Sequence, residues 1–194
     1  PRPQPRPPSV GRGPGTSGSA AVARAGFPVS GVAERQLRWF NELSDEEVIG
    51  ALLLVCHSRV WATRVAAQRP YAHVDSLLAA ADDTWMALRP EDWLEALDAH
   101  PRIGERGGKS AESSKREQAG FGVAGDDVQA AIASGNLEYE DRFGHVFLIS
   151  AEGRSAEEIL ANLRSRLDND ADTELRIAAE EHRRITRLRI ERLL

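Results

Sequence analysis

A single cysteine, Cys56, is all the thiol the chain has. One cysteine excludes an internal disulfide framework and the small secreted scaffolds that rely on one. It fits a reducing compartment, and the cytoplasm is the expected location. Long apolar runs are missing too. The longest strongly apolar stretch, ALLLVC at 51–56, falls far short of the roughly 18 residues a membrane helix needs, so no span is expected. No Walker-type or G-x-G-x-x-G phosphate loop is present, nor a G-x-S-x-G elbow. The five histidines, His57, His73, His100, His145 and His182, form no compact ligand spacing such as HExxH, so no metal site is expected.

Acidic residues are absent from positions 1–33, which carry Arg2, Arg6, Arg12 and Arg24. These give +4, so the net charge of −5 leaves −9 for the remainder. A body that acidic argues against a nucleic-acid partner. Residues 1–30 are rich in Pro, Gly and Ser and poor in large apolar groups, and are expected to be a disordered tail. They lack the apolar segment of a secretory signal. The folded domain is expected over 31–194, with no internal repeat.

Within that domain the apolar spacing is helical. Ser44 and Glu47 form a capping box that launches a helix through Leu52 and Cys56. A second helix carries Trp61 and Val65 and stops before Pro70. Residues 72–88 place Val74, Leu77, Leu78, Ala81 and Trp85 on one face. A short helix is expected near 91–98. A later helix has Val128, Ile132, Tyr139 and Phe143 on one face, with Gly135 on that face allowing close packing. Ser155 and Glu158 make a second capping box, and the last helix starts near Asp170. HVFLISA, 145–151, is the one strand candidate. A lone strand makes no sheet, so a buried extended segment near 146–151 is expected. The fold class is all-α, a bundle of about seven or eight helices. The four tryptophans, Trp39, Trp61, Trp85 and Trp93, read as core or helix-contact residues. His57, His73 and His182 read as surface or satisfied side chains, and Cys56 as core.

Three features carry possible chemistry. His100 stands before Pro101, which biases it out of helical geometry and fixes an imidazole at a helix-to-loop junction. A histidine that merely ends a helix has the same spacing. Ser114, Lys115, Arg116, Glu117 and Gln118 read either as an ordinary capping box or as a helix start that binds a polar ligand. Phe147, Leu148, Ile149, Ser150 and Ala151, followed by Arg154, offer backbone groups and a guanidinium to a flat, amide-rich molecule, or else a core segment and a surface arginine. His145 is the rival to His100.

Taken in order, SRVWATRVAAQRP (58–70), AHPRIG (99–104), SSKREQAGFG (113–122), YEDRFGHVFLISAEGRSAEEIL (139–160) and RLDNDADTEL (166–175) resemble the 2-oxo-4-hydroxy-4-carboxy-5-ureidoimidazoline (OHCU) decarboxylase family of urate degradation. The resemblance covers about 31–194. It implies an all-α carboxy-lyase that needs no cofactor, releases CO2 and yields (S)-allantoin, commonly as a homodimer. It places the catalytic histidine on His100 and a substrate-contacting proline on Pro101. Ser114, Glu117 and Gln118 match the family's Ser-x-x-Glu-Gln, with Lys115 and Arg116 between them and Glu117 sharing the catalytic role. The backbone-binding segment falls on Phe147 to Ala151. Animal members carry an arginine directly after the equivalent of Ala151; here Glu152 stands there, and Arg154 is the expected substitute. Two other readings stay open on the residues alone. One is a non-catalytic helical binding module, and the other is a metal-dependent hydrolase built from scattered His and Asp.

Overall fold

The computed structural model describes residues 30–104 and 125–194, which hold eight helices and no strand. In chain order they are α1 (Ser30–Glu42), α2 (Asp45–Cys56), α3 (Arg59–Ala66), α4 (Val74–Met86), α5 (Pro90–Leu97), α6 (Asp126–Phe143), α7 (Ala156–Arg166) and α8 (Ala171–Leu193). The all-α reading holds. The tail and the Ser114 to Gln118 cluster lie outside the described residues.

The helix starts are set by local chemistry. Ser44 Oγ accepts from the Glu47 amide while Glu47 accepts from the Ser44 amide at 2.9 Å, closing the expected box at α2. Ser155 and Glu158 repeat this at α7, and Asp170 caps α8 by accepting from the Thr173 amide. Each such cap contributes about 1 kcal/mol. At the other end of α1, Arg69 donates to the carbonyls of Phe40 and Leu43, satisfying groups the helix leaves open.

Two apolar cores form. One gathers α1 to α4 around Phe40, Leu52, Trp61, Leu77 and Trp85. The other packs α6 on α7 through Ile132, Tyr139, Ile159 and Leu163. Gly135 permits that contact: a Cβ there would stand 2.6 Å from Leu163 Cδ2. Helix α8 joins the two cores, giving Ala179 and Ile190 to the first and, with Ala178 and Ile185, forming a small junction with Leu97 and Leu148. The core alternative fails for one tryptophan. Trp39 is not core but 45% exposed, because α1 turns Leu37 and Phe40 inward instead.

The extended segment after α6 runs between these layers. It begins where Gly144 takes the left-handed conformation, φ 74°, that ends α6. Extended backbone sends successive side chains to opposite sides. Phe147, Ile149 and Ala151 therefore enter the α6–α7 core while Leu148 enters the junction with α8. With no neighbouring strand among the described residues, side chains hold its backbone. Arg166 Nη1 donates to the Leu148 carbonyl at 2.8 Å, and the Ser150 amide donates to Glu181 Oε2 at 2.8 Å.

Arg166 is itself held by Glu174, which is fully buried and also accepts from the Tyr139 hydroxyl and, at 2.8 Å, from Asn169 Nδ2. Removing one partner of a buried pair leaves an uncompensated charge and costs about 3–5 kcal/mol. Glu174→Gln is therefore expected to lower the unfolding free energy by about that much in urea denaturation. A loss below about 1 kcal/mol would show that the pair is not a structural anchor.

Candidate active site

Helix α5 has proline at its first position and ends in a tight turn, where the His100 amide donates to the Leu97 carbonyl at 3.0 Å. Pro101 follows and stops any continuation. The imidazole is turned inward and only 7% exposed. Its Nδ1 lies 3.0 Å from the Ala96 carbonyl oxygen. A carbonyl only accepts, so Nδ1 carries the proton of the neutral ring. Nε2 then presents a lone pair, and it has no hydrogen-bond partner among the described residues. Burial, and next the charge of Arg189, push the His100 pKa down to about 3. His100 is thus a neutral base or hydrogen-bond acceptor at physiological pH, not a resident acid.

A small cavity of about 20 Å³ lies beside it, room for about one water. His100, Pro101, Ile103, Leu148 to Glu152, Ile185 and Leu188 are among its walls. The α5 end, the extended segment and α8 therefore meet at one point, the seam between the two cores.

His100 does not stand alone. The ring of His182 meets it edge-on at 4.9 Å between centroids, and that of His57 at 6.0 Å. His182 stacks on Trp85 at 4.2 Å, with Nδ1 3.2 Å from Thr186 Oγ1. Its pKa is also lowered, by burial first and then by its charged and titratable neighbours. Reading His182 as a surface side chain is corrected: it is fully buried, because α8 turns it into the first core. His57 is partly exposed. Arg189, 6% exposed and donating to the Val55 carbonyl at 3.1 Å, is the cation of this region. Among the described residues no three His, Cys, Asp or Glu side chains group as a metal ion would require.

A protein-family model described as OHCU decarboxylase matches residues 41–191. The chain belongs to the OHCU decarboxylase family. Among curated relatives, the Arabidopsis thaliana uric acid degradation bifunctional protein is 31% identical over 144 residues, covering 71% of this chain and 44% of that one. The Haloferax volcanii 2-oxo-4-hydroxy-4-carboxy-5-ureidoimidazoline decarboxylase is 29% identical over 162 residues, covering 81% of this chain and 95% of that one. The chain spans less than half the length of the bifunctional relatives, 32% in the case of the Bacillus sp. (strain TB-90) protein. A crystal structure of an OHCU decarboxylase, determined in the presence of (S)-allantoin, superposes with a TM-score of 0.67 at 30% identity, covering 78% of this chain and 98% of that one. An (S)-allantoin synthase structure shares the fold, with a TM-score of 0.64 at 18% identity.

In this OHCU decarboxylase-family chain the expected site residues divide. His100, Pro101, Leu148, Ile149, Ser150 and Ala151 come together at the cavity. Phe147 does not; its ring faces the α6–α7 core under the Arg166 guanidinium, 4.7 Å away. Arg154 lines a separate surface groove with Glu158, Asn162 and Ser165, and sits 3.9 Å from Glu181. Glu152 reaches the cavity wall but pairs with Arg192 at 2.7 Å. His145 packs against Tyr139 and Phe143 with Nδ1 near the Val146 carbonyl, not among the cavity walls named above. Cys56 is core, as expected, and burial pushes its thiol up to about 12.

Sequence reasoning missed His57, His182, Arg189 and Glu181 as neighbours of the site. The signal for two of them was the spacing on α8. His182, Ile185 and Arg189 follow at three and four residues, so they share one helix face.

The depressed histidines have a thermodynamic consequence. The unfolded chain binds protons at its histidines near pH 6.5, and the folded His100 near pH 3. Between these values the unfolded state holds more protons, so stability rises with pH and falls on acidification. Each such histidine contributes up to about 1.4 kcal/mol per pH unit. Urea unfolding between pH 7 and 4 is expected to show a shallower pH slope for His100→Gln than for the wild type. Equal slopes would mean that His100 is protonated in the folded chain.

Proposed function

We propose that the chain decarboxylates OHCU to (S)-allantoin and CO2, as a step of urate degradation. The observation that carries this reading is His100. Its single proton is committed to the Ala96 carbonyl, and its Nε2 lone pair is left without a partner among the described residues, beside a cavity. Membership of the family supports the substrate.

The chemistry suits such a group. Carbon–carbon cleavage sends CO2 away and leaves the bonding pair on the ring, where the adjacent unsaturated groups delocalise it. The substrate is its own electron sink, and the protein's task is orientation and proton handling. A neutral Nε2 accepts a hydrogen bond from the substrate's 4-hydroxyl. This fixes the ring and draws the hydroxyl proton onto Nε2 as the carbonyl forms. The retained pair takes up a proton to give the new C–H bond, and Nε2 gives its proton up again. The net uptake is one proton per turnover from solvent, because the carboxylate leaves as CO2. Arg189 supplies the positive charge that attracts a carboxylate to the same seam, a role that Arg154, tied to Glu181 on the surface, does not fill. Pro101, Ile103, Leu148 and Ile185 give the apolar walls that exclude water. The contributions of Ser114, Lys115, Arg116, Glu117 and Gln118, with Glu117 holding the ureido group, belong to the same proposal.

The assembly is proposed to be a homodimer acting in the cytoplasm. The exposed apolar side chains Val32, Trp39 and Leu54 on α1 and α2 support an interface there, and the free Cys56 thiol suits a reducing compartment. No helix among the described residues is long and apolar enough to cross a membrane.

The test is a circular-dichroism assay in which urate oxidase and hydroxyisourate hydrolase generate OHCU in place. The chain is expected to accelerate the (S)-allantoin signal well beyond spontaneous racemic decay. His100→Asn, folded by far-ultraviolet circular dichroism, is expected to lose about 100-fold or more of the rate. A folded wild type without acceleration would favour the binding-module reading.

A further inference from the structure

The two edges of the extended segment are used unequally. In extended backbone the amide and carbonyl of one residue share an edge, and the next residue uses the opposite one. Leu148 and Ser150 therefore share an edge, and that edge is taken. Arg166 holds the Leu148 carbonyl and Glu181 holds the Ser150 amide, both at 2.8 Å. Ile149 belongs to the other edge. Its amide and carbonyl have no hydrogen-bond partner among the described residues, and it is a wall of the cavity beside His100. A buried backbone group left open costs free energy unless a ligand or water meets it. This second edge is the one the segment offers to a ligand.

What aims that edge is the pair of side chains on the opposite one. Arg166 is committed to the buried network with Glu174 and Tyr139. Glu181 has no such structural company. It comes from α8, is 8% exposed, and stands four residues before Ile185, itself a wall of the cavity. Its Oε2 takes the Ser150 amide, while its Oε1 accepts from Arg184 Nη1 at 3.0 Å and lies 3.9 Å from Arg154 Nη2. A hydrogen bond from an amide to a carboxylate is roughly twice as strong as one to a neutral acceptor. The two guanidiniums offset the carboxylate's charge, so it can stand behind the segment without repelling an anionic substrate. Glu181 is not among the cavity walls named above, so it acts on the site through Ser150.

We propose that Glu181 is a positioning residue of this site: by holding the Ser150 amide it turns the open edge of Ile149 toward the substrate and sets its distance from His100. The role rests on the decarboxylation reading above. It depends on the reach of the side chain, since an acceptor must stand at the Ser150 amide. The negative charge serves the surface arginines and is secondary. A small displacement of a binding edge misaligns the substrate against His100 and lowers the rate steeply.

The test separates reach from charge. Glu181→Gln keeps the reach and an oxygen for the Ser150 amide but loses the charge. Glu181→Asp keeps the charge but is one methylene shorter and draws back from the amide. Both are compared with the full-length wild type in the circular-dichroism assay, each checked for folding, and hydrogen exchange of the Ser150 amide is followed by NMR. Glu181→Asp is expected to lose about tenfold or more of kcat/KM, and Glu181→Gln no more than about threefold. Exchange at Ser150 is expected to quicken in Glu181→Asp and stay near the wild-type rate in Glu181→Gln. A role confined to the ion pair with Arg184 predicts the reverse order. That reverse order, equal losses in the two variants, or wild-type kcat/KM in a folded Glu181→Asp each overturn the proposal. A wild type that makes no (S)-allantoin overturns the decarboxylase reading itself, and the positioning role with it.

Discussion

The buried pair between Arg166 and Glu174 is the constraint on which the rest of this architecture depends. It joins the end of α7 to the start of α8, takes in Tyr139 of α6, and spends its remaining donor on the Leu148 carbonyl. An extended segment with no strand beside it would leave backbone groups unpaired in an apolar interior, at a cost of about 1–3 kcal/mol each. The guanidinium removes part of that cost. It also fixes the height at which Leu148 to Ala151 pass the end of α5. The cavity beside His100 exists because that level is fixed.

Placing the site at the seam between two cores has an electrostatic result. Two buried imidazoles lie beside the partly exposed His57 and the Arg189 guanidinium, and those neighbours disfavour a proton on His100 and His182. His100 and His182 resolve this by staying neutral. The imidazole that the resemblance implies as catalytic is therefore neutral at rest, with a lone pair to accept a proton.

How much of this was legible in the sequence follows from the range of the interactions. Ser44–Glu47, Ser155–Glu158 and Asp170–Thr173 act over three residues, so the helix starts were readable. Gly135 was readable as a close contact because its neighbours fix a helix face. The lone extended segment followed from the impossibility of a one-stranded sheet. What escaped reading is what needs distant partners. Trp39 and Trp61 look alike in sequence, yet one is half-exposed and the other sealed. His182 read as a surface or satisfied side chain among charges, and only the packing of α8 on Trp85 decides against the surface. Arg154 seemed placed for a substrate carboxylate, but Glu181, some 27 positions further on, lies beside it. His100 was found because Pro101 acts on its immediate neighbour; His57, forty-three positions earlier, gave no such local sign.

The segment from Phe147 to Ala151 also sets a rule for how this chain can vary. Its side chains alternate between two different interiors, and Leu148 offers its carbonyl and Ser150 its amide to fixed partners. Exchanging one apolar residue for another of similar bulk preserves that arrangement. Adding or removing a single residue inverts every side chain beyond the change and moves both backbone groups off their partners. Length, more than identity, is the quantity held constant in this stretch. An added residue at the turns of Gly144 or Gly153 leaves the register of the five residues that cross the seam intact, and one within those five does not.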